Sequence, residues 1–305
     1  MKNILLEIIY ILAGLISFVA GYYALVDDEH KARIETATFW GVLGIIFIVG
    51  KYIPSEVVGA LLILMGILSA MKKVIPGSMK KYSKKHRMKQ AKLLKNKLFI
   101  PALAIGITAF AVAQFIPSLG GLVGLGFGAF LATILALFIT KDEPKKFGTH
   151  GSRLLQQIGP VAILPQLLTA LGALFNKAGL GEYISQVIGG VIVEGNLLIG
   201  IIAYCLGMAI FTMIMGNAFA AFAVITAGIG IPFVYSFGGN PAMIGIMALT
   251  AGYCGTLMTP MAANFNIVPA AILETKNKYR VIISQLPLAI TLLVTHIFLM
   301  YFLAF

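Results

Sequence analysis

Long apolar runs separated by short charged segments dominate the sequence. A helix needs about 20 residues to cross the hydrocarbon core of a bilayer, and most of these runs reach or approach that length. The runs predict membrane spans at residues 4–26, 39–52, 55–71, 98–115, 118–140, 154–175, 197–215 and 281–304. Together with the uncharged stretch that precedes the last run, they predict an all-α polytopic membrane protein with about eight to ten transmembrane helices.

The composition excludes a water-soluble globular enzyme. Hydrophobic residues make up 59% of the 305 residues and charged residues only 11%, whereas soluble domains carry about 25% charged residues. The net charge of +12 would suggest nucleic acid as the partner of a soluble protein, but no nucleic-acid binding is expected of a membrane protein with this composition. Cys205 and Cys254 both lie in apolar stretches and are expected to be packing residues.

One loop between two predicted spans holds nearly half of the basic residues. Residues 72–97 contain 11 of the 23 Lys and Arg residues and no Asp or Glu. The positive-inside rule places such a loop in the cytoplasm. A polybasic segment can also attract anionic membrane lipid, but topology explains the charge without a ligand.

A second basic segment, residues 141–153, divides the chain into two regions. The first region, residues 1–140, is expected to be a scaffold of helical hairpins. Ile-Pro-Ser occurs at residues 53–55 and again at residues 116–118, and proline favours a turn at the end of each hairpin. The second region, residues 141–305, interleaves apolar runs with Pro, Gly, Asn and Thr, and is expected to contain broken helices.

The stretch from residue 195 to residue 273 is uncharged but not uniformly apolar. Its 79 residues include no Asp, Glu, Lys, Arg or His, yet glycines, prolines and asparagines interrupt it. Non-helical backbone cannot face lipid, because each unpaired amide costs several kcal/mol there, so the interrupted parts must line protein or water. Discontinuous helices form the sites of many secondary transporters: helix N-termini point at an anionic substrate, and freed carbonyls coordinate a cation.

The first predicted interruption lies at Gly216 and Asn217. Gly216 permits a turn, Asn217 is a favourable helix N-cap, and the run to Thr226 is about half a membrane thickness of helix. We expect a re-entrant or broken helix here, with all three residues as candidate binding residues. The alternative is an ordinary span kinked at Gly216, in which Asn217 bonds to a neighbouring helix.

The second predicted interruption begins at Gly252. Thr259 precedes Pro260, a pair that often opens a helix, and Gly255 allows a close approach of backbone. As one broken crossing, the segment places four polar side chains near the middle of the membrane: Thr256, Thr259, Asn264 and Asn266. The alternative is an ordinary loop between two spans.

Two weaker signals lie outside these interruptions. Gln156 and Gln166, with nearby prolines, make residues 154–175 a candidate third re-entrant element. His296 lies deep in the last predicted span and could relay protons. A hydrogen-bonded packing role is commoner for a lone histidine.

Three strings carry a resemblance to a known family. They are IGPVAILPQLLTALGALF at Ile158–Phe175, TMIMGNAFAAFAVITAGIG at Thr212–Gly230 and GYCGTLMTPMAANFNIVPAA at Gly252–Ala271. Essentially the whole chain resembles the bacterial membrane family named domain of unknown function 979. That family is grouped with the ion-transporter superfamily of gluconate, citrate and dicarboxylate carriers.

The resemblance implies an ion-transporter-superfamily-like fold, namely an inverted-repeat carrier with two hairpins, split over two chains. It implies a second small membrane subunit of the domain of unknown function 969 type, and 5-oxoproline (pyroglutamate) as the substrate. In that superfamily, Ser-Asn-Thr tips clasp the carboxylate and sodium, whereas Gly216-Asn217-Ala218 retains only the asparagine. The implied location is the bacterial cytoplasmic (inner) membrane.

The residues and the resemblance together favour a subunit of a secondary transporter for a small carboxylate, with residues 141–305 as the transport region. The alternative is a membrane scaffold or regulatory subunit that does not itself carry the substrate. An enzyme is not expected, because the spans contain no paired acids and no His-Glu-x-x-His helix.

The driving force is expected to be an ion gradient or the gradient of the substrate itself, because the sequence has no phosphate-binding loop of the Gly-x-x-x-x-Gly-Lys type. No cofactor is expected apart from a coupling ion. Amide, hydroxyl and carbonyl oxygens suit a hard cation. The sequence therefore predicts sodium near Asn217, Thr259 and Asn264.

Overall fold

The computed structural model describes residues 1–78, 83–141, 143–189, 195–273 and 275–305. Within these ranges the regular secondary structure is entirely helical, which confirms the predicted fold class. The chain forms two compact units, Met1–Gly159 and Pro160–Phe305. The functional division of the chain at residue 140 remains a prediction.

Helical hairpins make up the first unit. Its described residues form α1 (Lys2–Leu25), α2 (Arg33–Val49), α3 (Ser55–Ala70), α4 (Lys84–Leu94), α5 (Ile100–Phe115), α6 (Gly120–Thr140) and α7 (Pro144–Ile158). The pairs α1 with α2 and α5 with α6 pack antiparallel. Both Ile-Pro-Ser sequences lie at turns, since Pro54 is the N-cap of α3 and residues 116–119 join α5 to α6.

Polar side chains fasten the segment after α3 to the rest of the first unit. Gln156 of α7 is almost fully buried; its Nε2 donates to the Ala20 carbonyl (2.9 Å), and its Oε1 accepts from the Gly77 amide (3.0 Å). Ser78 donates to Asp27 from both its amide and its hydroxyl, each at 2.6 Å. Burial acts to raise the pKa of Asp27, but the hydrogen bonds from Ser78 outweigh it and lower that pKa. Gln156 therefore has a structural role in the first unit.

The second unit contains the interrupted helices. Its described residues form α8 (Leu164–Lys177), α9 (Leu180–Gly189), α10 (Leu197–Met215), α11 (Ala218–Ile225), α12 (Ile231–Phe233), α13 (Pro241–Leu257), α14 (Ala263–Ile272) and α15 (Arg280–Leu303). A π turn, Thr226–Gly230, joins α11 to α12. The predicted span 154–175 is not one regular helix, because α7 ends at Ile158 and a 3-10 turn precedes α8.

Helix α10 lies at the centre of the second unit and packs against α11, α13 and α15. Tyr204, Met208 and Ile244 are fully buried in this core. Cys205 and Cys254 are free thiols buried in the same core, which confirms that they are packing residues. Between helices in lipid, such packing stabilises chiefly through van der Waals contact.

Seven helical segments of the described chain are long and apolar enough to cross a membrane: Lys2–Leu25, Lys85–Phe115, Gly120–Thr140, Gly148–Phe175, Leu197–Met215, Ala218–Phe237 and Arg280–Leu303. Three further apolar helices, α3, α13 and α14, are shorter. Large apolar side chains such as Phe110 and Phe138 are exposed on helix surfaces, as contact with lipid requires. The protein is therefore a multi-pass membrane protein.

Candidate functional site

The first predicted interruption is present at the predicted residues. Helix α10 ends at Met215, and Gly216 adopts a left-handed conformation with a φ of 68°, which glycine adopts without strain. Asn217 then caps α11, because its Oδ1 accepts a hydrogen bond from the Phe219 amide at 2.9 Å. The cap satisfies one of the amides that a helix N-terminus leaves unpaired.

The second interruption separates α13 from α14 by residues 258–262. The sequence predicted that Pro260 opens the helix. In the structure α14 begins three residues later, at Ala263. The reason is a turn centred on Thr259, whose Oγ1 accepts from the Met261 amide (3.2 Å) and donates to the Met213 carbonyl (2.8 Å). This hydrogen bond also pairs a carbonyl that the end of α10 leaves free.

The two interruptions are in direct contact. A Cβ atom at Gly216 would lie 2.6 Å from the Met261 carbonyl oxygen, so only glycine allows this approach. The bond between Thr259 and Met213 joins the same two segments. The backbone breaks thus belong to one structural feature, although Met258 follows Gly216 by 42 positions in the sequence.

A cavity of about 210 Å³ opens where the interruptions meet. Ala218 and Phe219 line it from the N-terminus of α11, and Ala263, Asn264 and Phe265 line it from the N-terminus of α14. Unpaired amides give a helix N-terminus a partial positive charge that favours anions. The volume is below the roughly 300–1,000 Å³ typical of drug-sized ligands, so a small ligand fits best.

Four of the predicted site residues line this cavity: Gly216, Asn217, Thr256 and Asn264. Asn264 is exposed, and its amide has no hydrogen bond to the described residues. Asn217 is partly exposed, and its Nδ2 donates to Thr169 Oγ1 at 3.4 Å. No charged side chain lies among the described residues that line the cavity.

The other predicted site residues lie outside the cavity lining. Gly255 is a packing residue, because a Cβ there would lie 2.3 Å from the Ala209 carbonyl oxygen of α10. Thr226 lies at the far end of α11, where its hydroxyl is 2.6 Å from the Tyr204 hydroxyl. Thr259 is buried and forms the turn described above.

Asn266 stabilises the second interruption through hydrogen bonds to its backbone. It is fully buried, and its Nδ2 donates to the carbonyls of Thr256 (2.8 Å) and Thr259 (2.6 Å). Both carbonyls belong to the end of α13 and the turn that follows, where intrahelical partners are missing. The Asn266 Oδ1 is buried without a partner among the described groups.

Two of the three residues expected to bind sodium already use their side-chain oxygens in hydrogen bonds. Asn217 Oδ1 caps α11, and Thr259 Oγ1 is bonded to Met213 and Met261. Asn264 lines the cavity, and its side chain has no hydrogen bond to the part of the chain that the structure describes. A sodium site formed by these three residues therefore remains a prediction.

The sequence did not reveal the apolar wall of the cavity. Leu164 and Leu168 contribute to this wall from α8, and Tyr253 contributes from α13. Tyr253 also packs edge-on against Phe219, with ring centroids 6.0 Å apart. Spacing offered a signal, since Leu164 and Leu168 are four residues apart and Tyr253 precedes Thr256 by three, so that each pair shares a helix face.

These features define an all-helical, multi-pass membrane protein with a small candidate binding cavity at two helix interruptions. The sequence matches the family described as "Protein of unknown function (DUF979)" over residues 7–305, and the chain belongs to that family. The resemblance carried by the three strings is thereby confirmed. No curated protein and no solved structure matches the chain.

Proposed function

We propose that the protein is a subunit of a secondary transporter that carries a small carboxylate, specifically 5-oxoproline, across the cytoplasmic membrane of a bacterium. The observation that supports this proposal is the convergence of two helix N-termini and two asparagine side chains on one small, uncharged cavity. Helix N-termini attract anions, and interrupted helices that meet inside a membrane are typical of carriers.

Each part of the cavity has a role in this proposal. The Asn264 amide donates to the carboxylate, because no described residue competes for it, and a hydrogen bond to a charged group contributes about 1.5–3 kcal/mol. The N-termini of α11 and α14 offset the negative charge without a buried Lys or Arg. Phe219, Phe265 and Leu164 provide the apolar surface for the ring of the substrate.

A second membrane subunit, of the domain of unknown function 969 type, is part of the proposal. Inverted-repeat carriers place two interrupted elements from opposite repeats around one site. The described interruptions at Gly216 and at residues 258–262 both belong to the second unit of this chain. The partner would supply the opposing element, and an ion gradient would drive the cycle.

Uptake of labelled 5-oxoproline tests the proposal in cells that lack their own uptake system. Four strains carry this chain, the partner, both or neither, and only the strain with both is expected to accumulate the label. Uptake by the partner alone would instead identify this chain as a scaffold or regulatory subunit. Uptake equal in all four strains would refute the transporter assignment.

Variants locate the site within the same assay. Changing Asn217 and Asn264 together to alanine should abolish uptake while the amount of protein in the membrane stays unchanged. Asn240→Ala is the matched control, because Asn240 also caps a helix, α13, but does not line the cavity. Unchanged uptake by the double variant would remove the cavity from the proposal.

A further inference from the structure

A groove of about 440 Å³ lies beside the candidate cavity in the second unit. Tyr253, Thr256 and Phe265 line both the groove and the cavity. His296 of α15 lines only the groove. The three shared side chains therefore separate the cavity from a space that contains an imidazole.

His296 lies within the depth of the membrane. It follows Arg280, at the start of α15, by 16 residues, or about 24 Å along a helix, and about 10 Å of helix remains after it. The hydrocarbon core of a bilayer is about 30 Å thick. Ionisable residues at such depth almost always face protein or a water-filled cavity, and they mark ion paths and proton relays.

The hydrogen bond of His296 determines which nitrogen can accept a proton. Its Nδ1 lies 2.7 Å from the Leu292 carbonyl oxygen, and a carbonyl oxygen only accepts. Nδ1 therefore carries the hydrogen in the neutral ring, and Nε2 has the lone pair. The side chain is partly exposed, and no hydrogen bond joins Nε2 to the described residues.

Few ionisable side chains lie on the described helices around His296. Among the described residues of α10 to α15, the Asp, Glu, His, Lys and Arg side chains are His296 and Arg280 alone. Tyr253 and Cys254 of α13 are the other titratable groups that face the groove, and both are neutral near pH 7 in their ordinary state. No charged side chain from α13, α14 or α15 faces His296 in the described groove.

We propose that His296 is the coupling residue of the transporter and that its Nε2 binds one proton, which crosses the membrane with each carboxylate. The inference rests on the proposed function and names a proton as its driving ion, in place of the sodium that the sequence predicted. The imidazolium would balance the charge of the anion as it passes between the cavity and the groove, past Tyr253 and Phe265. One proton and one carboxylate together carry no net charge.

Transport in proteoliposomes separates this proposal from the proposed function. Vesicles contain this chain with its partner subunit. Exchange of labelled for unlabelled 5-oxoproline at equal pH measures carriage alone, whereas accumulation without sodium, with the inside one pH unit more alkaline, measures proton coupling. The wild type should exchange the label and accumulate it about 10-fold, the limit that one proton per carboxylate allows at this gradient.

His296→Gln keeps a hydrogen-bonding side chain but cannot titrate. It should retain exchange and lose accumulation, whereas His86→Gln, the same change in the basic helix α4 of the first unit, should retain both. Accumulation by His296→Gln at the wild-type level would overturn the proposal. Accumulation by the wild type under a sodium gradient alone, with no response to pH, would also overturn it. An absence of exchange in the wild type would refute the proposed function instead.

Nuclear magnetic resonance of histidine-labelled protein tests the inference even if the proteoliposomes show no exchange of 5-oxoproline. The imidazole signal that disappears in His296→Gln belongs to His296. The proposal predicts that lowering the pH moves this signal, because Nε2 gains a proton. A signal that does not move with pH would overturn the proposal.

Discussion

At the scale of single residues, the protein uses the same amide side chain in two ways. The Asn217 Oδ1 caps α11, whereas the Asn264 amide has no hydrogen-bond partner among the described residues and lies at the cavity. The structural cost of losing each side chain therefore differs, although both line the same space. Stability and binding can be separated with these two positions.

Asn217→Ala should lower the thermal stability, because losing an N-cap costs about 1 kcal/mol. Asn240→Ala should lower it by a similar amount, since Asn240 Oδ1 accepts from two amides at the start of α13. Asn264→Ala should leave the melting temperature close to that of the wild type. Fluorescence-detected unfolding in detergent measures all three, and a large loss in Asn264→Ala would contradict this account of the free amide.

Replacement of Gly216 should damage the fold for two reasons. Gly216→Ala combines a left-handed backbone, which costs about 1–2 kcal/mol, with the contact to the Met261 carbonyl. Gly238→Ala is the matched control, because its φ is 83° but a Cβ there meets nothing within 4 Å. We expect Gly216→Ala to unfold several degrees below Gly238→Ala. Equal melting temperatures would show that the two interruptions do not press against each other.

At the scale of elements, the sequence predicted the ends of the helices better than the contacts between those ends. The positions of α10 and α15 were predicted within a residue, because apolar composition and membrane thickness define them. The left-handed turn at Gly216 followed from local chemistry. The contact between Gly216 and Met261, and the turn that delays α14 past Pro260, depend on tertiary packing that no local pattern encodes.

The cavity was predictable only in part for the same reason. Polar residues stand out in an uncharged stretch, so Asn217, Thr256 and Asn264 were found. Thr226 was chosen by the same criterion and Gly255 because it allows a close approach of backbone, but packing places both outside the cavity lining. The apolar lining from α8 is chemically like any other membrane helix surface, and nothing in its composition marked it.

Asn266 should be the main support of the second interruption. Asn266→Ala removes both hydrogen bonds to the end of α13 and leaves two buried carbonyls unpaired, at about 1–3 kcal/mol each. We expect the melting temperature to fall by about 5 °C or more. Asn264→Ala, two residues away on the same helix, serves as the control. A similarly small fall in melting temperature in both variants would show that the hydrogen bonds of Asn266 contribute little to stability.

At the scale of the whole molecule, charge and chemistry occupy different parts of the chain. The basic residues concentrate in the loop of residues 72–97, while the cavity lining carries no charge among the described residues. The loop can thus set the topology. Under the proposed function, amides and helix N-termini would hold the anion, because no charged side chain lies among the described residues that line the cavity.

Equilibrium binding of labelled 5-oxoproline to the purified protein with its partner subunit tests the central claim most directly. The account predicts saturable binding by the wild type and by Asn240→Ala, and binding at least about 10-fold weaker by Asn264→Ala. Binding of equal affinity by Asn264→Ala and the wild type would contradict the claim that the two helix interruptions form the carboxylate site.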